Sequence, residues 1–374
     1  MKLVVRVKLL PTPEQAAALE ATLRSCNAAA NWLSGLAFGH GRTSRAALQA
    51  LAYTQLKSRG LSAQPALHVL RKVADAYTAA RANRTVERPI SFRPDAAQPF
   101  DDRCLSWQTE ERTVSIWTTS GRMKGLTFTG QDRQLAALAL YRKGESDLLH
   151  QGGRWYLFAT CEIPEAPTNA APLGFVGVDL GIVNIASTST GRRHSGRRLN
   201  QLREAGLRLR AKLQKKGTKS AKRRAKRQAG REARRNRDIN HKISKCIVAE
   251  AQRTGHGIAL EDLTGIRERV RLRRPRRVTL HSWPFRQLGT FVAYKARRAG
   301  VPVVYVDPAY TSQECSRCHH IDRRNRPSQA VFACRVCGFV EHADLNASHN
   351  IAARGWWTWV RGAESQVPAL TLTM

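Results

Sequence analysis

The chain is 374 residues long, 42% hydrophobic, and carries a formal net charge of +35 from 63 Lys+Arg against 28 Asp+Glu. That length and apolar content exclude a disordered chain and allow two or three domains with substantial cores. A surface so basic repels itself unless a polyanion neutralises it, which points to nucleic acid first and to an anionic membrane surface second. A ribosomal protein would share the charge but rarely this length or the acidic residues described below.

In chain order, "LVVRVKLLP" alternates, with Val5, Val7 and Leu9 on one side and Arg6 and Lys8 on the other, and predicts an edge strand. The two cations also break up the only apolar stretch near the start, which lacks a signal-peptide core. With no run of about 18 apolar residues, no membrane span and a cytoplasmic, nucleoid-associated location are expected. "TPEQ" fits a helix start, with Thr12 as N-cap, Pro13 at the first position and Gln15 closing a capping box. Leu19, Leu23, Cys26, Ala30 and Leu33 continue at helical spacing. "RAALQALAYTQLKSRG" and "SAQPALHVLRKVADAYTAARANR" predict two further helices, giving a helical block over 12–87.

From 88 to about 165 the texture changes to short β-branched or aromatic runs, "TVSIWTT", "MKGLTFTG", "LALYRKG" and "RWYLFATCEIP", which predict an antiparallel barrel or small sheet that the first strand joins. "PEAPTNAAPLG" predicts a linker. Strands and helices alternate from 174. "GFVGVDLG" is a strand ending in Asp179, "IVNIASTSTGRRH" a second, and 203–245 a basic helical stretch. Between Arg192 and Lys245 there are 22 Lys/Arg and three acids, Glu204, Glu232 and Asp238. With so few acidic partners this stretch repels itself in isolation, and it is expected to track a nucleic-acid backbone through Lys215, Lys216, Lys219, Lys222, Arg223, Arg224, Arg227, Arg234 and Arg235. "GHGIALEDL" is a strand ending in Glu261. "SWPFRQLGTFVAYKARRAG" predicts a helix with Phe285, Leu288 and Val292 inward, and "VPVVYVD" a third buried strand. A last helix starts near Asp344. Its Trp356, Trp357 and Trp359 could stack bases, but core packing is the favoured reading because tryptophan usually buries its large apolar area. The tail, 362–374, is expected to be disordered.

Asp179, Glu261 and Asp344 are the candidate catalytic residues. Strand carboxyl ends line up along one edge of a parallel or mixed sheet. Three carboxylates converging there repel one another unless cations intervene. Two Mg²⁺ or Mn²⁺ ions about 3.5–4 Å apart would relieve the repulsion, activate a water and stabilise the leaving 3′-oxygen of a phosphodiester. Singly, each acid has a structural use: a turn residue at Asp179, a solvated strand end at Glu261, a helix N-terminal charge at Asp344. Their recurrence at matching element ends favours the catalytic reading.

Of eight cysteines, Cys26, Cys104, Cys161 and Cys246 are scattered and read as small buried hydrophobes. Cys315-x2-Cys318 and Cys334-x2-Cys337, 15 residues apart, have the spacing of a four-thiolate zinc ribbon; a redox pair is the lesser alternative. Four sulfurs leave no open position, so this zinc is structural, and the neighbouring His319 and His320 are not needed as ligands.

"VGVDLGIVNIAS", "HGIALEDLTGI", "PAYTSQECSRC", "CRVCGFVEHADLNASHNIAARG" and the opening "VKLLPTPEQAAALEATLRSCNAAANWLSG" resemble the TnpB (OrfB) proteins of bacterial insertion sequences, related to type V CRISPR effectors. The resemblance spans roughly 1–360 and is most specific from 174 onward. It implies an α+β multidomain chain. An RNase H-like (RuvC) α/β nuclease domain over 173–361 would carry an inserted zinc ribbon, 310–343. A β-barrel (wedge) domain, 1–11 and 88–168, would be interrupted by a helical recognition domain, 12–87. The implied activity is an RNA-guided, metal-dependent endodeoxyribonuclease, monomeric with a guide RNA from the transposon end, that cuts double-stranded target DNA beside a short motif read by the protein. "QPALHVLRKVADAY" is the expected place for that reading. Asp179, Glu261 and Asp344 carry over as Mg²⁺ ligands, the four cysteines as Zn²⁺ ligands, and Asn346 and Asn350 as residues that hold the last helix. His319 stands where the family usually has glycine, which bears on the geometry of the ribbon loop. An RNA-guided repressor and a DNA-only transposase on the same scaffold are the alternatives.

Overall fold

The computed structural model describes residues 1–83, 86–263 and 285–362; the expectations for the tail beyond 362 and for the start of the "SWPF" helix lie outside them. The chain divides into two compact units, Met1–Pro164 and Glu165–Met374.

In the first unit, β1 (Lys2–Leu9) leads into three helices, α1 (Pro13–Gly39), α2 (Arg45–Ser58) and α3 (Ala63–Ala82). The Thr12–Gln15 capping box forms in both directions, so two orphan amides at the start of α1 are satisfied. The helices bury Leu33, Leu48, Leu56, Val69, Leu70 and Tyr77 in a core of their own. The chain then makes β2 (Gln98–Phe100), β3 (Leu105–Gln108), β4 (Thr113–Thr118), β5 (Gly121–Thr129), α4 (Asp132–Tyr141), β6 (Arg142–Gln151) and β7 (Arg154–Glu162). All seven strands form one antiparallel sheet in the order β2-β6-β7-β1-β5-β4-β3, whose outermost strands share no ladder among the described residues.

Two expectations are corrected here. β1 is a central strand, paired with β7 along Lys2–Lys8 and with β5 at Lys8 and Leu9. The alternation that predicted an edge strand reflects a sheet with one buried face: Val5, Val7 and Leu9 enter the core while Arg6 stays exposed. "LALY" is the end of α4, not a strand, because Leu135 and Leu138 pack helically against the sheet's core.

The second unit holds a five-stranded sheet of order β10-β9-β8-β11-β12, made of β8 (Phe175–Asp179), β9 (Asn184–Thr188), β10 (Arg193–Ser195), β11 (Gly257–Glu261) and β12 (Val303–Val306). β8, β11 and β12 run parallel, and β9 turns back antiparallel on β8. One face packs against α6 (Lys219–Arg253) and α7 (Phe285–Arg298), burying Val176, Val178, Leu260, Ile247, Leu288 and Val292. The other face, with Phe175, Ala259 and Val304, takes α8 (Ala343–Val360). α8 can lie this close only because β8 has a glycine under it. A Cβ at Gly177 would collide with the Ser348 carbonyl and the Ala352 amide.

The basic stretch is two helices, not one. α5 (Arg197–Lys216) ends at Gly217, which takes the left-handed conformation at φ +64°, and Thr218 then caps α6 through a hydrogen bond from the Ala221 amide. The two lie against each other, with Glu232 of α6 beside Gly206 and accepting from Arg210 and Gln228. Among the described residues no helix is long and apolar enough to cross a membrane.

Candidate active site

Parallel pairing sets the first two carboxylates side by side. Leu260 of β11 is in register with Val178 of β8, so Glu261 and Asp179 leave neighbouring strands at the same carboxyl-terminal edge. Asp344 comes from the opposite direction in sequence. It sits in the first turn of α8, buried, and accepts from Asn184 Nδ2 of β9 at 2.8 Å and from Arg326 at 3.5 Å. His342 caps the helix by accepting from the Asp344 amide.

The electrostatics show that the three share one corner. Burial first, then the charges of Glu261 and Asp344, push the Asp179 carboxyl up to about 8 against the opposing charge of Arg326. Burial also raises Glu261, against the hydrogen bond that its Oε1 accepts from Thr311 Oγ1 at 2.6 Å. The three acids are less tightly gathered than the cysteines: among the described residues, the four thiols are the group of possible metal ligands whose atoms all lie within 4.8 Å of one another. Asp344 is instead turned onto Asn184 and Arg326. The donor set is all oxygen, which suits a hard divalent cation.

The raised Asp179 carboxyl has a consequence for stability. Its proton is bound more tightly in the folded chain than in the unfolded one, so the protonated form favours folding. That contribution is full below about pH 4 and is lost as pH rises towards 8. Without added Mg²⁺ or Mn²⁺, and with the cysteine metal retained, the melting temperature is expected to fall across this window. Asp179→Asn should flatten the profile, and a slope unchanged in that variant would contradict the assignment.

The cysteine knuckle is compact. Cys315 and Cys337 lie 3.7 Å apart at sulfur, Cys318 and Cys334 3.5 Å. A tetrahedral zinc with bonds of about 2.3 Å separates its sulfurs by roughly 3.8 Å, so the geometry suits zinc. β13 (Val331–Ala333) and β14 (Val340–His342) form the ribbon's hairpin, and Phe332 and Ala343 complete a small core around Cys315 and Cys334. His319 is not a ligand: its Nδ1 pairs with Glu314 Oε1 at 2.9 Å. It adopts the glycine-like φ of +59°, the departure from the family pattern expressed in the backbone.

The ribbon is tied to α8 by the two asparagines. Asn346 Nδ2 and Asn350 Nδ2 both donate to the Glu314 carbonyl, Asn350 also to the Thr311 carbonyl, and the Ser316 amide donates to Asn346 Oδ1. Arg354 completes the clamp on Glu314 Oε2. Sequence reading missed Asn184, Thr311 and Arg326. None belongs to a metal or catalytic spacing pattern, and only folding brings them to the acids.

The other expected residues are placed as follows. Lys215, Lys216, Lys219, Lys222, Arg223, Arg224, Arg227 and Arg234 are exposed on the α5–α6 hairpin and Arg235 is half-buried. Cys26, Cys104 and Cys161 are buried and Cys246 is half-buried. The tryptophans divide. Trp359 packs on Phe175, with ring centroids 5.9 Å apart, but Trp356 and Trp357 are 39% and 59% exposed. The core reading fails for those two because the inward row of α8 is Ile351, Gly355 and Trp359, four residues apart.

Comparison with known proteins adds the following. A family model described as "Cas12f1-like, TNB domain" matches residues 285–351, and one described as "Probable transposase" matches 158–264. The CRISPR-associated endodeoxyribonuclease Cas12f1 of Sulfoacidibacillus thermotolerans is 46% identical over 114 residues, 30% of this chain and 26% of that protein. The putative RNA-guided DNA endonuclease InsQ of Escherichia coli (strain K12) is 29% identical over 223 residues, 54% of each. The chain thus spans from about a quarter to about half of the length of these relatives. A chain in the cryo-EM structure of a Cas12f1–sgRNA–target DNA complex superposes with a TM-score of 0.66, covering 90% of this chain and 83% of that one; at 13% identity the likeness is one of fold alone.

Proposed function

The chain belongs to the TnpB (OrfB) family, related to type V CRISPR effectors, and from that premise we propose that it is an RNA-guided, metal-dependent DNA endonuclease. The observation that carries the reading is the placement of Asp179 beside Glu261 at one sheet edge, with Asp344 at the start of α8 near enough for its charge to act on Asp179. Mg²⁺ or Mn²⁺ held by Asp179, Glu261 and Asp344 would neutralise this cluster, activate a water and stabilise the leaving 3′-oxygen. The protein's own part is to hold the ligands: Asn184 orients Asp344, and Arg326 adds a fixed positive charge suited to a phosphate.

In the same reading, residues 173–361 are an RNase H-like (RuvC) domain with the ribbon at 310–343. Residues 1–11 and 88–168 are the wedge, and 12–87 the recognition domain, with α3 as the place where the flanking motif is read. The partners are a guide RNA from the transposon end and double-stranded target DNA, bound by a monomer. Relatives named as RNA-guided or CRISPR-associated nucleases support this.

The exposed cations of the α5–α6 hairpin supply the electrostatic part of RNA binding. Replacing Lys222, Arg223 and Arg224 together with alanine should leave the fold intact and lower the slope of log affinity against log salt by roughly 2. An unchanged slope in a filter-binding titration would place the RNA elsewhere.

The whole reading is tested by co-expressing the protein with the DNA that flanks the 3′ end of its gene and sequencing any RNA that co-purifies. A discrete RNA ending in variable flanking sequence, which then directs cutting of a matching duplex, is expected. The same RNA with target binding but no cutting would indicate a repressor. Random fragments, or none, would indicate a DNA-only transposase.

A further inference from the structure

The segment between β12 and the first cysteine pair connects the acidic corner to the cysteine knuckle. Thr311 is 4% exposed, and its hydroxyl lies 2.6 Å from Glu261 Oε1. This is the one side-chain hydrogen bond that Glu261 makes among the described residues. The contact uses a single lone pair of one oxygen, so Oε2 and the rest of Oε1 remain free to bind a cation. The threonine cannot easily move. Its carbonyl accepts from Asn350 of α8, its hydroxyl also reaches the Pro308 carbonyl at 3.2 Å, and Tyr310 before it is held at φ +62°, a conformation unfavourable for a residue with a side chain.

Four residues later the same segment reaches Cys315, and between them Glu314 is gripped by Asn346, Asn350 and Arg354 of α8. The helix that carries Asp344 and the threonine that holds Glu261 are therefore fastened to one short stretch of chain anchored in the cysteine knuckle. We propose that Thr311 is a positioning residue for Glu261, through which the knuckle sets the geometry of the acidic corner. The proposal rests on the reading of Asp179, Glu261 and Asp344 as cation ligands, and it assigns to the ribbon a task beyond its own folding. Thr311 is not a catalytic residue: in this arrangement it touches a ligand, never the substrate.

The test is a titration with Mn²⁺ alone, read from the electron paramagnetic resonance of the free ion, on the full-length protein with its cysteine metal in place. Four forms are compared: the parent, Thr311→Val, Thr311→Ser and Asp179→Ala. Loss of a residue that orients a metal ligand typically weakens metal affinity about 10–100-fold. The expected result is a loss of about tenfold or more in Thr311→Val, with full zinc content, and restoration to within about twofold in Thr311→Ser, which keeps the hydroxyl. Should the valine variant not fold, Thr311→Ala takes its place under the same criteria. Parent-like Mn²⁺ affinity in Thr311→Val, or serine behaving no better than valine, overturns the positioning role. Parent-like affinity in Asp179→Ala would instead overturn the acidic corner as the cation site, and the proposal with it, so the two failures are distinguishable.

Discussion

Asp179→Ala is expected to lower DNA cleavage by about 10³-fold or more, equivalent to roughly 4 kcal/mol of transition-state stabilisation, while leaving RNA co-purification unchanged. Asp179 is the residue on which the corner converges. It stands at the carboxyl end of β8, pushed up to about 8 by burial and then by Glu261 and Asp344. A carboxyl raised this far by burial and then by like charges is held there against electrostatic preference, and such positions concentrate at functional sites. Replacing it by alanine removes a buried carboxyl that is costly to ionise in this acidic set, so the folded chain should be no less stable without added cations. Loss of cleavage would then report lost chemistry and not lost structure. The assay is single-turnover cutting of a duplex matched to the co-purified RNA. Residual cutting above about one hundredth of the parent rate, or loss of the RNA, would show that the site has been misplaced.

Cys315→Ser is expected to release the bound zinc, to open the stretch from 310 to 343 to hydrogen exchange, and to abolish cleavage. The ribbon's own core is Cys315, Phe332, Cys334 and Ala343 with Phe339 against it, far too little apolar surface to order some thirty residues. Metal binding has to supply the difference, and structural zinc in small modules contributes on the order of 10 kcal/mol. Cys315 is the least dispensable ligand. It is fully buried, follows the clamped Glu314, and bonds through its amide to the His320 carbonyl and through its own carbonyl to the His319 amide. Its loss should therefore spread to both ends of the clamp, at Thr311 and at Asn346 and Asn350. The first-unit core, within Met1–Pro164, should keep its exchange protection. Protection of 310–343 equal to the parent's in zinc-free Cys315→Ser would sink the idea that the metal orders this region.

Much of this could be read from local pattern. The capping box at Thr12, the helical spacing from Leu19 to Leu33, the apolar strands ending in Asp179 and Glu261, and the two CxxC pairs depend on residues within a few positions of one another. The misreadings arose where local pattern is ambiguous. Alternation in β1 states which face is buried, not whether a strand lies inside or at the edge of its sheet, since pairing on both sides leaves the alternation unchanged. "LALY" is compatible with strand and helix, and its contacts decided for helix. The break between α5 and α6 is legible in Gly217 followed by Thr218, a helix stop followed by a helix start, although the basic run continues through it without a change in composition.

The sequence by itself determined the chain's basic character, its two CxxC pairs at metal-ligand spacing, its alternation of strands and helices, and three acids at element ends. Each of these follows from composition or from the short periods of strand and helix. Only the tertiary structure decided that the acids share a corner, and which neutral and cationic residues attend them. Asn184 meets Asp344 across 160 residues and Thr311 meets Glu261 across 50. Such contacts follow from parallel pairing of β8 with β11 and from the seating of α8 over Gly177, and no local spacing rule encodes them. Residue type announces a metal ligand, because few side chains can bind one. A partner that merely orients the ligand can be any hydrogen-bonding residue that the fold delivers.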